Sequence, residues 1–124
     1  YPVGVHYGVP HGIAGGVFLR GVFKQNIDKG YEGYSILFDQ LKNNHNQKLN
    51  NKEKSIKFLT LFDKFYEEIG APITLNKWGI NDIEDVKKIT NITISQRMEN
   101  LELNPVPYGK DDLALLLKGI IQEK

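Results

Sequence analysis

One histidine stands where the local sequence would hold its imidazole in a fixed position. His11 follows Pro10 and precedes Gly12. Because the residue before a proline is driven out of the α region, the chain enters this point extended or turned, and a helical pattern then begins. A neutral imidazole is the commonest metal ligand in proteins, and a rigid helix start would present it in one orientation. A lone histidine is nevertheless more often a capping or core residue, so both interpretations stay open.

The helix predicted over residues 11–24 is apolar around most of its circumference, which is typical of a buried helix. It also contains Gly15, Gly16 and Gly21, and each should cost about 1 kcal/mol relative to alanine in a helix interior. Three such losses indicate that a neighbouring backbone or a bound ligand passes close to this helix. Its apolar residues are Ile13, Ala14, Val17, Phe18, Leu19, Val22 and Phe23.

Three blocks of the chain resemble one family. The sequence PHGIA at residues 10–14, with an apolar run that closes at Asn26, resembles the PHG-x-A…N segment of the iron-type, group III alcohol dehydrogenases. Residues 65–80 resemble the family's LGIP…L…GI segment, and residues 104–113 its NP…T-x-ED-v ending. The likeness covers nearly the whole chain in the family's order. It implies the helical C-terminal domain of the dehydroquinate synthase-like, iron-alcohol dehydrogenase fold.

The resemblance also implies a metal site. His11 falls on the family's PHG histidine, which coordinates the catalytic divalent metal, Fe²⁺ or Zn²⁺. The family's other ligands, an aspartate and two histidines, would lie upstream of Tyr1, together with the domain that holds most of the NAD or NADP. We therefore expect residues 1–124 to be the C-terminal helical metal-binding domain of a longer enzyme. Because catalytic metals usually need three or more protein ligands, the chain alone should bind metal weakly or not at all.

The other candidate residues are weaker. His6 aligns with a family position that is usually aromatic, and His45 lies in an Asn/Lys-rich stretch predicted to be an exposed loop. Tyr1 stands where the family often has a histidine near the nicotinamide, and it could still donate a hydrogen bond to the cofactor or pack on it. Arg20 and Gly21 replace the common Pro-His of the family's run. Catalytic and cofactor-binding residues within the chain therefore stay unassigned.

The composition excludes several classes of protein. With 16 basic and 15 acidic side chains, no overall field favours nucleic acid or an anionic membrane. The absence of cysteine excludes disulfides, thiolate metal sites and a cysteine nucleophile. Arg20 and Lys24 interrupt the best apolar run, which falls short of the ~18 residues of a membrane span. No signal-peptide pattern is present either, so we expect a cytoplasmic protein, with homo-oligomerisation left open.

Helical periodicity predicts an all-α bundle of about six helices. Over residues 51–69, apolar residues recur at i, i+4, i+7 and i+11, and Gly70 supplies a left-handed stop. After Gly109, a final helix repeats apolar residues at i, i+3, i+4, i+7 and i+8. The two stripes are Phe58, Phe62, Phe65 and Ile69 in the first, and Leu113, Leu116, Leu117, Ile120 and Ile121 in the second.

Shorter helices are expected over residues 34–41, 82–90 and 95–100, and residues 1–10 are expected to be irregular. Asn81 and Glu84 have the spacing of a capping box, after which Ile83, Val86 and Ile89 should point inward. Between the helices, a compact loop should pack Trp78 against the bundle.

The function that the resemblance implies is an NAD(P)-dependent, metal-assisted alcohol dehydrogenase acting on a small alcohol or aldehyde. The metal would act as a Lewis acid and lower the alcohol's pKa for hydride transfer. Within the superfamily, glycerol dehydrogenase and dehydroquinate synthase are alternatives, although the latter has a glutamate where this chain has Ile13. A non-catalytic helical interaction module, with His11 as a helix-capping residue, is the alternative outside it. The three glycines argue against that module.

Overall fold

The computed structural model describes residues 1–41 and 48–122, and these form helices and turns without a strand. The predicted all-α architecture is confirmed, whereas His45 and the Asn/Lys-rich loop around it fall largely outside the described residues. A 3-10 turn, Asn76–Trp78, lies between the fourth and fifth helices. The α-helices are α1 (Pro2–Tyr7), α2 (His11–Asp28), α3 (Ser35–Gln40), α4 (Asn51–Ile69), α5 (Ile83–Gln96), α6 (Met98–Glu102) and α7 (Lys110–Gln122).

Helix α2 is the element around which the others pack. It contacts α1, α4 and α7, while α5 packs against both α7 and α1. The main core forms where these helices meet, with Val17 of α2 and Leu117 of α7 almost completely buried. The predicted stripe of the last helix is confirmed, because all five of its apolar residues lie in this core. Trp78 packs against the same core, as expected.

A second cluster, of aromatic rings, joins α2 to α3 and α4. The Phe23 ring of α2 lies 5.2 Å from Phe62 and 5.6 Å from Phe58, both on α4, in edge-to-face contacts. Tyr66 continues the row, and its hydroxyl donates to the Gly16 carbonyl at 2.7 Å. Such ring pairs add about 1 kcal/mol each beyond simple burial. The inward face of α4 is therefore defined by its contact with α2.

The predicted stripe of α4 is half wrong, although the helix bounds agree with the prediction. Phe58 and Phe62 face the bundle, but Phe65 and Ile69 are 53% and 59% exposed. Tyr66 takes the inward position in the last turn because its hydroxyl reaches the Gly16 carbonyl of α2. The periodicity alone did not distinguish Tyr66 from its neighbour Phe65.

The chain before His11 is helical, not irregular as expected. Pro2 occupies the first turn of α1, where its fixed φ suits a helix and its missing N–H costs nothing. Gly8 ends α1 with φ 70°, a left-handed conformation that glycine adopts without strain. Val9 is buried, and its N–H donates to the Val3 carbonyl at 3.3 Å. This helix and its glycine stop set the direction in which the chain approaches His11.

The fifth helix also differs from the prediction. Residues 83–96 form one continuous helix, and the separate short helix begins only at Met98. The capping box uses Asp82 and Asp85 and not Asn81 and Glu84, which moves the helix register by one residue. Ile83, predicted to point inward, is 48% exposed in the first turn, while Val86 and Ile89 are buried as expected.

Candidate metal-ligand site

His11 is the first residue of α2 and its side chain is exposed. Pro10 precedes it in an extended conformation, with φ −55° and ψ 139°, and the Pro10 carbonyl accepts the Ala14 N–H at 2.9 Å. No side chain caps this helix start, so the first N–H groups of α2 are left without a side-chain partner. Within residues 1–41 and 48–122, no hydrogen bond or ion pair involves the imidazole. His11 is therefore not a helix-capping residue.

Residues 8–10 form the turn before His11, and Tyr7, at the start of this turn, is hydrogen-bonded to α5. The Tyr7 hydroxyl donates to Asp85 Oδ1 at 2.7 Å, across 78 positions of sequence. Asp85 Oδ2 accepts the Asn81 backbone N–H at 2.9 Å, so this carboxylate holds the start of α5 and the end of α1 together. The Lys88 ammonium lies 5.1 Å from the centre of the Tyr7 ring. Only three residues then separate this fixed tyrosine from the imidazole.

The protonation states of this pair favour the hydrogen bond. The backbone N–H of Asn81 and the Tyr7 hydroxyl both stabilise the carboxylate, and they hold the pKa of Asp85 below its ordinary value. Burial, together with the neighbouring Asp85 charge, raises the pKa of Tyr7 to about 12. At neutral pH, tyrosine is therefore the donor and aspartate the charged acceptor, which is the stronger form of such a bond.

Acid should weaken this tie. Because the folded-state pKa of Asp85 lies below its ordinary 3.8, its stabilising contribution is complete above that value and is lost as the pH falls through the lowered folded-state pKa. We expect Asp85→Asn to lower the free energy of unfolding at neutral pH and to flatten its fall between about pH 5 and about pH 2. Urea unfolding across this range measures both effects.

A suitable control is Glu84→Gln, since Glu84 belongs to the same turn and its one ion pair among the described residues is with the exposed Lys87. Glu84→Gln should leave the fall of the unfolding free energy with decreasing pH almost unchanged. Asp112, whose pKa is lowered by Lys29, remains in both variants and keeps part of the slope. An Asp85→Asn protein that loses stability in acid as steeply as the parent chain would exclude this role for Asp85.

The face of α2 beside His11 carries little side chain. Gly12 and Gly15 have no atom of the described residues within 4 Å of where a Cβ would lie. Residues 11, 15 and 19 follow one another at four-residue intervals, so they share this face, and Leu19 at its far end is exposed. The backbone next to the imidazole can thus be approached closely by a ligand or by another part of a protein.

The other two glycines of α2 serve helix packing. A Cβ on Gly21 would lie 2.6 Å from Leu116 Cδ1 of α7, and one on Gly16 would lie 3.3 Å from the Tyr66 hydroxyl of α4. A close neighbour is thus present at these two positions, but it is a side chain and not the backbone or ligand that was predicted. Gly15, on the open face, has no such neighbour among the described residues.

The remaining candidates do not join His11. His6 is exposed in the last turn of α1, and the Tyr1 ring lies against Arg97. Arg20, which departs from the family's usual run, is buried and forms a two-bonded ion pair with Asp63 of α4, at 2.8 and 2.9 Å. Within the described ranges, no group of three or more His, Cys, Asp or Glu side chains could hold a metal ion.

The family assignment rests on the comparison with known proteins. The family model for the C-terminal part of the Fe-containing alcohol dehydrogenases matches residues 1–121. The chain belongs to this family. A search of curated proteins and a search of solved structures gave no match. The all-helical structure agrees with the helical C-terminal domain of the Fe-containing alcohol dehydrogenases, which are oxidoreductases. In the part of the chain that the structure describes, no helix is both long and apolar enough to cross a membrane.

Members of the Fe-containing alcohol dehydrogenase family generally bind a divalent metal and NAD(P). The residues present fit such a metal site in part, because His11 can supply one of its four protein ligands. An exposed imidazole without a partner in residues 1–41 and 48–122 can accept a metal ion, and the glycine-lined helix face leaves room around it. A tetrahedral site would need further ligands in addition to His11.

Proposed function

We propose that this chain is the metal-binding C-terminal domain of an NAD(P)-dependent alcohol dehydrogenase that interconverts alcohols and aldehydes in the cytoplasm. His11 supplies one metal ligand, and the aspartate and two histidines of the family's set come from sequence N-terminal to Tyr1, as does the nucleotide-binding domain. One observation carries the proposal. In a chain of this family, the only side chain of the PHG motif able to bind a metal is exposed and without a partner among the described residues.

The bound divalent metal would supply Lewis-acid polarisation of the alcohol or carbonyl oxygen. His11 would hold it as a neutral ligand from the start of α2. The uncapped N–H groups of that helix start favour negative charge nearby, which would stabilise an alkoxide oxygen. The bare surface at Gly12 and Gly15 would let the substrate approach the backbone. The Tyr7–Asp85 bond would keep the imidazole in place throughout.

The dehydrogenase activity can be tested on an enzyme in which this chain follows its nucleotide-binding domain. We expect formation of NADH or NADPH with primary alcohols, loss of activity after chelation, and recovery on addition of Fe²⁺ or Zn²⁺. Glycerol oxidation at a comparable rate would favour the glycerol dehydrogenase alternative. Conversion of a cyclising phosphate substrate would favour the dehydroquinate synthase alternative. Inactivity with every substrate and metal would favour the interaction module.

A second expectation concerns the 124-residue chain by itself. Because the described residues hold no group of three or more potential ligands, and a stable site needs that many, calorimetry with Zn²⁺ should show weak binding or none. His6→Ala should behave like the unmodified chain, since His6 lies outside the PHG motif, at the end of α1. Tight one-to-one binding that His11→Ala leaves unchanged would contradict the assignment of His11.

A further inference from the structure

A cavity that does not include His11 lies between helices of the bundle. It is partly open, has a volume of about 160 Å³, and is lined by residues of α1, α2, α5, α6 and α7. Its walls are mainly apolar and include Val3, Phe18, Ile89 and Leu113. Engineered cavities of about 150 Å³ with walls of this kind hold a molecule the size of benzene. The space is therefore suited to a hydrocarbon group of four to six carbons.

Arg97 lies at this cavity and lacks the partner that an arginine normally has. It occupies the break between α5 and α6, and its guanidinium carbon is 4.0 Å from the centre of the Tyr1 ring. Its Nε is buried without a hydrogen-bond partner. Among the described residues no carboxylate pairs with it, in contrast to Arg20, which is paired with Asp63. A buried donor without an acceptor is costly and calls for one.

We propose that this cavity binds a short aliphatic carboxylate, with its carboxylate on the Arg97 guanidinium and its hydrocarbon tail along the apolar wall. The planar guanidinium matches a carboxylate with two parallel hydrogen bonds. Arg97 as a whole is only partly buried, so a ligand can reach it. Thr93 already donates its hydroxyl to the Ile89 carbonyl at 2.9 Å, and Arg97 is the charged side chain in the cavity wall. The site does not depend on the metal-binding role of His11.

A volume of about 160 Å³ fits a free short-chain acid, and the length of its hydrocarbon tail tests this. NMR titration of the ¹⁵N-labelled chain, acetylated at Tyr1 to remove its α-ammonium group, compares butyrate, acetate and 1-butanol. Butyrate should shift the amide signals of Arg97, Thr93 and Phe18 and should saturate. Acetate lacks two methylene groups and should bind about tenfold more weakly. The uncharged 1-butanol should also bind about tenfold more weakly.

Two variants test whether Arg97 supplies the positive charge that binds the carboxylate. Arg97→Met keeps the length of the side chain and should weaken butyrate binding at least about tenfold. Lys87→Met removes one positive charge from the exposed face of α5, the helix that precedes Arg97, and should change butyrate binding less than about twofold. Equal binding of acetate and butyrate, butyrate binding that survives Arg97→Met, or shifts confined to other regions would overturn the proposal. The acetate comparison needs no variant, so a folding defect in Arg97→Met leaves the test intact.

Discussion

Replacing His11 by glutamine is expected to lower the metal affinity of the proposed dehydrogenase by about 100-fold or more. Its metal-dependent activity should fall to background at limiting metal. Removal of a group that only supports a ligand already costs about 10- to 100-fold in affinity, so loss of a ligand should cost at least as much. Metal content after dialysis and the rate of NAD(P)H formation measure the two effects.

His6→Gln is the matched control, because it changes an exposed histidine five positions earlier, at the other end of the same turn. It should leave metal content and activity close to those of the parent enzyme. His11 is exposed and makes no hydrogen bond to a described residue, so His11→Gln should not unfold the domain. A stable His11→Gln enzyme that retains its metal and its activity would show that this imidazole is not a ligand.

The largest effect on stability is expected from Asn26, at the end of the apolar run that follows His11. Its side chain is 0% exposed, and its amide exchanges two hydrogen bonds with that of Asn104, at 2.9 and 2.8 Å. It also donates to the Tyr34 hydroxyl at 2.9 Å. Asn26→Leu keeps the branched shape and the number of heavy side-chain atoms but leaves both partners unsatisfied, so we expect a loss of about 3 kcal/mol. Chemical denaturation of the 124-residue chain measures it.

Two further variants separate the hydrogen bonds from the change of residue type. Asn91→Leu alters an exposed asparagine of α5 and should change the stability by less than about 0.5 kcal/mol. The double variant Asn26→Leu/Asn104→Leu should lose less stability than the two single variants lose together, since neither amide is then left without its partner. Full stability of Asn26→Leu alone would show that the amide pair does not stabilise the fold.

Local sequence patterns correctly predicted the helices whose buried residues recur at helical spacing. The last helix is the clearest case, because its stripe from Leu113 to Ile121 packs as expected. The prediction failed at the end of α4, where Phe65 was expected on the buried face and Tyr66 occupies it. Tyr66 turns inward because its hydroxyl reaches the Gly16 carbonyl, and no local pattern in α4 indicates where that carbonyl lies. The same limit applies to α1, whose helix depends on the buried contacts of Val3 and Val9.

The sequence likewise predicted one part of the candidate site and not the rest. The sequence places His11 at a helix start after a proline turn, and the structure agrees. It gives no signal for the bond between Tyr7 and Asp85, because the two residues are 78 positions apart and belong to separate helices. It predicts that the glycines of α2 allow close approach without showing what approaches. The structure assigns Gly21 to packing against α7 and leaves Gly15 on the open face beside the imidazole.

The position of the metal relative to the His11 ring tests the proposed function most directly. Anomalous diffraction at the zinc or iron edge, from crystals of the metal-loaded enzyme that includes these residues, locates the ion. A ring nitrogen of His11 should lie roughly 2.0–2.1 Å from the anomalous peak, with the remaining ligands contributed by other parts of the enzyme. A fully occupied peak beyond bonding distance of that ring would contradict the role assigned to His11.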